Sequence, residues 1–300
     1  MRAGAAGAAE AKTKTSFRLG RRTPIDASLP GLRRVHAEPD VFVVDGFLSD
    51  AACDALVEQA RGKGVERSPV AYAGWTQDAA AALRLCAGGP AAWAAFPALN
   101  AALNANVAGE LGVGGVVAGV VGAWAKGMAV CTVGVAGWLG WRYAGLREQR
   151  TSESTTLYEG AGEAMVVACE RLLCSGRSRF EATTVIRYGQ GSRLAPHFDA
   201  NRAASAEDGA RGGQTLATVL CYLNDVPEGA GGRTRFGRLG LDVDPRKGQA
   251  LLFFPADAAG AFDERVEHEG EAFTGEGGAE KWVARIWMHQ DSVPYPYGLK

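Results

Sequence analysis

From residue 180 onward the chain is cut into short apolar and β-branched runs, each closed by Gly, Pro, Asn or Asp. The runs are Phe180–Tyr188, Thr215–Asn224, Thr234–Phe236, Gly248–Phe254 and Lys281–His289. No helical segment of crossover length lies between consecutive runs, so a doubly wound parallel sheet is excluded and antiparallel pairing is favoured. Many short strands joined by Gly- and Pro-bearing turns predict an α+β chain whose β part is a double-stranded β-helix, or jelly roll. Supporting helices come earlier. Asp40–Asp45 has strand composition, Ser49 or Asp50 supplies an N-cap, and Ala52, Leu56, Val57 and Ala60 recur at helical spacing. Gly162 to Leu173 repeats that pattern, with Met165, Val166, Cys169 and Leu172 on one stripe.

Within this β-rich half, Ile186 to Asp199 reads as a strand, a Gly turn and then His-x-Asp. Residues two apart in a strand share a face, so His197 and Asp199 can converge on one point. The chain has four histidines, His36, His197, His268 and His289, which leaves few candidates for a third ligand. Two imidazoles and one carboxylate with open positions suit non-haem Fe(II), although similar spacing also serves Zn or Mn.

The ordered set of motifs resembles the 2-oxoglutarate- and Fe(II)-dependent dioxygenases, and within them the prolyl 4-hydroxylase catalytic domain. The matching blocks are Phe47-Leu48-Ser49 with Cys53, Arg150-Thr151-Ser152, Arg187-Tyr188, His197-Phe198-Asp199 and Leu220 to Asn224. They continue with Gly231 to Phe236, Pro245 to Phe253, His268-Glu269-Gly270 and Lys281-Trp282. The resemblance implies that His197, Asp199 and His268 hold Fe(II) and that Lys281 anchors the distal carboxylate of the co-substrate 2-oxoglutarate. Arg285, on the same strand face, is the reserve anchor. By the same resemblance Tyr188 and Thr218 contact 2-oxoglutarate, ascorbate keeps the iron reduced, and a proline-containing peptide is hydroxylated while 2-oxoglutarate becomes succinate. The endoplasmic reticulum is the compartment so implied. This chain departs from the family pattern at three places. Gly275 to Glu280 lengthens the loop before Lys281, Leu194 and Ala200 replace aromatics that touch peptide, and the turn before Thr234 lacks an acidic residue. Another peptide residue, a small-molecule substrate, or a jelly-roll binding module without turnover therefore remain as alternatives.

A net charge of −1 gives no field that would gather nucleic acid. Six cysteines without C-x-x-C spacing argue against a zinc finger and leave disulfides open. Residues 1–40 are basic and hydroxyl-rich with no apolar signal core, and read as a disordered or targeting tail. The dioxygenase domain is then 41–76 plus 145–300, interrupted by an insertion at 77–144 that the family pattern does not need. Within it, 111–141 carries a single charge, Lys126. Its functional reading is membrane contact, and the other is a pair of packed apolar helices. The two apolar halves around Lys126 each fall short of the roughly 20 residues that cross a bilayer, so a shallow hairpin or interfacial segment is expected. Oligomeric state is not readable from the sequence.

Overall fold

The computed structural model of the chain describes residues 22–69, 75–107, 109, 112–202 and 209–299. Contacts divide it into two units, one of residues 1–68 with 150–300 and one of residues 69–149.

The first unit opens with β1 (Leu32–Ala37) and β2 (Asp40–Val44), followed by α1 (Asp50–Lys63) and β3 (Glu66–Arg67). After the second unit come β4 (Glu153–Leu157), α5 (Gly162–Leu173), β5 (Thr183–Tyr188), β6 (Leu194–His197) and β7 (Thr215–Tyr222). The chain then forms β8 (Thr234–Phe236), β9 (Leu241–Val243), β10 (Ala250–Phe253), β11 (His268–Gly270) and β12 (Lys281–His289). Eight strands build one sheet in the order β1-β2-β10-β7-β12-β5-β4-β3, and four build the other in the order β6-β11-β8-β9. Neighbours pair antiparallel throughout, and the two sheets make the double-stranded β-helix expected from the short runs.

Strand alternation divides the core in two. On β2, Phe42 and Val44 face the helices, where Leu56, Met165, Cys169 and Leu172 are buried, while Val41 and Val43 face the space between the sheets. On β12, Trp282, Ala284, Ile286 and Met288 join the helix-side core, and Val283 joins Ile186, Tyr188, Tyr222, Phe236 and Phe253 between the sheets. The Ser49 hydroxyl caps α1 by accepting from the Ala52 amide at 3.2 Å, which satisfies one of the orphan donors at the helix start.

Two expectations need correction. Order begins before residue 41, because Leu32–Ala37 pairs with β2 along its length. The strand is half polar and half-exposed at the sheet edge, so composition hid it; residues 1–21 lie outside the described part. The second correction concerns the second unit, which contains α2 (Trp75–Gly88), α3 (Pro90–Val107) and α4 (Val113–Gln149). Residues Val113 to Trp141 are not two half-length segments but part of one 37-residue helix running through Lys126. Lys is nearly as good a helix former as Leu, and no proline interrupts the run, so a single charge does not end it. Within this unit α4 packs against both α2 and α3. The disulfide question that the sequence left open has its answer in six free cysteines. The polar, Gly-rich stretch 201–213 reads in sequence as a surface loop, and residues 203–208 of it lie outside the described residues.

Candidate metal centre

Three elements bring the His-x-Asp pair and His268 together. His197 ends β6 and lies opposite His268 on β11, so the two imidazoles are neighbours across one antiparallel pair, with ring centroids 4.2 Å apart. Asp199 follows β6 and turns its carboxylate between them. His197 Nε2 lies 3.4 Å from Asp199 Oδ1, and His268 Nε2 lies 3.7 Å from Asp199 Oδ2. One ligand atom from each residue falls within 4.8 Å of the others. Residues separated by about 70 positions thus meet at a point.

The backbone decides the tautomers. His197 Nδ1 lies 3.0 Å from the Ala195 carbonyl, and His268 Nδ1 lies 3.1 Å from the Val266 carbonyl. Each Nδ1–H therefore donates to a carbonyl two residues back, and each Nε2 presents a lone pair to the Asp199 carboxylate. Burial pulls His268 down to about 4, so its ring is neutral at ordinary pH. At Asp199 burial works against the charge, and positive charge at the 268 and 197 positions, from protonated rings or a cation between them, is what outweighs it and holds the carboxyl well below the usual range. Phe253 and Phe236 wall His268 at centroid distances of 4.5 and 5.5 Å. His197 Nε2, the Asp199 carboxylate and His268 Nε2 converge on one point, and a cation is what such a set fits.

Lys281 starts β12 opposite Tyr188 on β5. It is 2% exposed, its Nζ donates to the Gly232 carbonyl, and it lies 4.8 Å from the Tyr188 ring centroid and 5.7 Å from that of Tyr222. Among the described residues no carboxylate comes within ion-pairing distance of it, and burial pulls its ammonium down to about 7. Gly232 makes room for this side chain. Its φ is +75°, and a Cβ there would sit 3.2 Å from Lys281 Cδ and 3.3 Å from the Phe273 ring. Tyr188 is buried, which raises its phenol and keeps it a donor.

Two expected contacts have other partners. The Thr218 hydroxyl donates to Asp199 Oδ2 at 2.8 Å, so in this structure it orients a carboxylate of the cluster. Arg285 stacks over Trp287 at 3.5 Å, and its Nη2 reaches Glu181 Oε2 at 3.4 Å and Thr184 Oγ1 at 3.3 Å. With its charge met by Glu181, it is a poorer anion anchor than Lys281. His289, a plain structural histidine by sequence, is buried in the same cluster, with Nε2 3.3 Å from Glu181 Oε1 and Nδ1 2.9 Å from the Gly213 carbonyl. Trp287 lies opposite Thr218 in register, and its Nε1 is buried without a hydrogen-bond acceptor among the described residues. Sequence reasoning missed this cluster. Its only trace was the alternation of β12, which puts 281, 285, 287 and 289 on one face.

The sequence model of the 2OG-Fe(II) oxygenase superfamily matches residues 183–289, the span that holds His197, Asp199, His268, Lys281, Tyr188, Thr218 and Arg285. Human prolyl 4-hydroxylase subunit alpha-1 is 36% identical over 118 residues, covering 38% of this chain and 21% of the human subunit. Probable prolyl 4-hydroxylase 9 of Arabidopsis thaliana is 34% identical over 127 residues, covering 37% of this chain and 42% of the plant protein. The match thus spans about a fifth of the animal subunit and less than half of the plant one. The viral collagen prolyl hydroxylase of Paramecium bursaria Chlorella virus-1 overlays 82% of this chain and 94% of its own at 21% identity and a TM-score of 0.48, too loose an overlay to carry weight. Residues 183–289, which contain the His-Asp-His cluster, are thus similar to the 2OG-Fe(II) oxygenase superfamily, and this part of the chain resembles prolyl 4-hydroxylases.

Proposed function

We propose that this chain is an Fe(II)- and 2-oxoglutarate-dependent dioxygenase that hydroxylates proline within a peptide or protein. The observation that carries the reading is the convergence of His197, Asp199 and His268 on one point in a chain whose buried Lys281 makes no ion pair among the described residues. His197 Nε2, the Asp199 carboxylate and His268 Nε2 would hold the iron, and Lys281 would meet the distal carboxylate of 2-oxoglutarate, with Tyr188 donating beside it. Bound together with oxygen, Fe(II) and 2-oxoglutarate supply oxidative decarboxylation to succinate and carbon dioxide, coupled to insertion of oxygen into a C–H bond.

The protein's own part is orientation and exclusion of water. The carbonyls of Ala195 and Val266 keep both Nε2 lone pairs aimed inward, and the Thr218 hydroxyl holds Asp199 in rotamer. Phe236 and Phe253 shield His268 from solvent. The buried Trp287 Nε1 is a donor without an acceptor, and a peptide carbonyl is a ligand group that would satisfy it. Ascorbate as the reductant of uncoupled turnover belongs to the same proposal.

Release of succinate from 2-oxoglutarate with Fe(II), in the presence and absence of a proline-rich peptide, tests the reading, with mass spectrometry locating any added oxygen. The expected result is peptide-stimulated succinate release and hydroxyproline in equal amounts. Turnover indifferent to the peptide would redirect the search to another substrate. No turnover with iron shown to be bound would leave a binding module.

A further inference from the structure

Outside the β-helix, the largest unexplained surface is on the helical unit. Between Arg84 and Arg142 the chain holds only two charged residues, Glu110 and Lys126. Glu110 belongs to the short connection between α3 and α4, so the helices contribute one charge in this whole stretch. A long apolar helix in a soluble core would be mostly buried, yet none of the apolar window in Val113–Trp141 is. Val117, Val121, Val130 and Val133 on α4 and Trp93 and Phe96 on α3 are all exposed. An uncovered apolar surface of this size needs a partner.

Length and topology say which partner. At 1.5 Å per residue, the 29 residues Val113–Trp141 rise about 44 Å and the 18 residues of α3 about 27 Å, against roughly 30 Å of bilayer hydrocarbon. The connection between them is only five residues, 108–112, and α3 packs against α4, so they form a helical hairpin. Both ends of the hairpin-bearing unit are tied to one edge of the large sheet. Ser68 donates its amide to the Ser152 carbonyl at 2.9 Å, their hydroxyls lie 3.1 Å apart, and β3 pairs with β4. A single crossing would place these bonded residues on opposite sides of a membrane. A hairpin that goes in and comes back does not.

The polar groups fit the same geometry. Asn104 falls in the last turn of α3, next to the connection, while Trp138 and Trp141 fall toward the far end of α4, where tryptophan favours an interface. Trp124 Nε1 donates to the Ala87 carbonyl at 3.2 Å, covering a backbone acceptor at the end of α2 that lipid could not satisfy. Lys126 lies about 20 Å along α4 from Val113 and about 22 Å from Trp141, so it sits near the middle of the apolar run, where a lysine costs about 2.5–3.5 kcal/mol on insertion scales, a cost set against the rest of an almost uncharged stretch.

We infer that α3 and α4 form a bilayer-embedded hairpin anchor whose two ends stay on one side of the membrane. This inference is independent of the catalytic reading. The full chain, translated in the presence of phosphatidylcholine vesicles, should float with them and resist alkaline extraction. Trypsin added outside should then leave a protected fragment from Leu85 to Arg142, uncut at Lys126, the only internal cleavage site; dissolving the vesicles should expose it. Replacing both Val117 and Val121 by Arg should lower the floating fraction more than tenfold while circular dichroism retains the helix content. A chain that stays in the soluble fraction, alone or as a dimer, overturns the inference. So does flotation with Lys126 cut from outside, or flotation unaffected by the double arginine variant.

Discussion

Lys281 gives the sharpest quantitative test of the proposed site. Burial takes its ammonium from an ordinary 10.5 to about 7, a drop that the Glu271 carboxylate, beyond ion-pairing distance, offsets only in part. At 1.36 kcal/mol per pKa unit, the charged form in ligand-free protein is disfavoured by on the order of 5 kcal/mol. Between about pH 7 and 10.5 the unfolded chain binds more protons here than the folded one, so the ligand-free protein gains stability as pH rises through that window. Below pH 7 it carries the full penalty. If the distal carboxylate of 2-oxoglutarate meets Nζ, the ammonium must be charged in the complex, and binding above pH 7 must draw in a proton. The dissociation constant then climbs up to roughly tenfold per pH unit. Calorimetric titration of 2-oxoglutarate into Mn(II)-loaded, oxygen-free protein at pH 7, 8 and 9, in two buffers of different ionisation heat, measures both quantities. Uptake close to one proton at pH 8 is expected for the wild type. Lys281→Met should bind more weakly, take up no proton, and unfold at higher temperature when ligand-free. Affinity flat from pH 7 to 9, or the same slope in the variant, would refute the assignment.

His268→Ala removes one of three convergent acceptors, so iron retained after gel filtration should fall to background and succinate release should cease; an equimolar iron content would end its role as ligand. Thr218→Val leaves Asp199 Oδ2 without its donor at 2.8 Å, and metal affinity measured by competition should drop about 10- to 100-fold, with an unchanged value counting against an orienting role. Gly232→Ala forces a side chain onto a φ of +75° and into Lys281 and Phe273, costing about 1–3 kcal/mol in denaturant unfolding and weakening 2-oxoglutarate binding. A fully stable Gly232→Ala protein would mean that the turn relaxes without effort.

Much of this protein is written locally. Strand alternation on β12, the stripe of α5 and the Ser49 cap were all readable in sequence, because each depends on residues a few positions apart and on a 2.0 or 3.6 periodicity. His197 and Asp199 belong to the same class. Their joining with His268 was expected only through the resemblance, since no local rule pairs β6 with β11. The edge strand Leu32–Ala37 was lost for the opposite reason. Its composition is that of a tail, and only hydrogen bonding to β2 makes it a strand.

Partner choice is what the tertiary structure decided. The sequence could nominate Lys281, Arg285, Tyr188 and Thr218 as polar groups facing one interior, but not which charges cancel. Glu181, just before β5, pairs with Arg285, Lys281 is left without an ion pair among the described residues, and Thr218 spends its hydroxyl on Asp199. Likewise, an almost charge-free stretch announces apolar helices, yet only the structure shows one continuous α4 that packs against α2 and α3 and still leaves its apolar window unburied. Periodicity sets the face a side chain occupies, whereas the strength and sign of its interactions depend on distances and burial that exist only once distant strands have met.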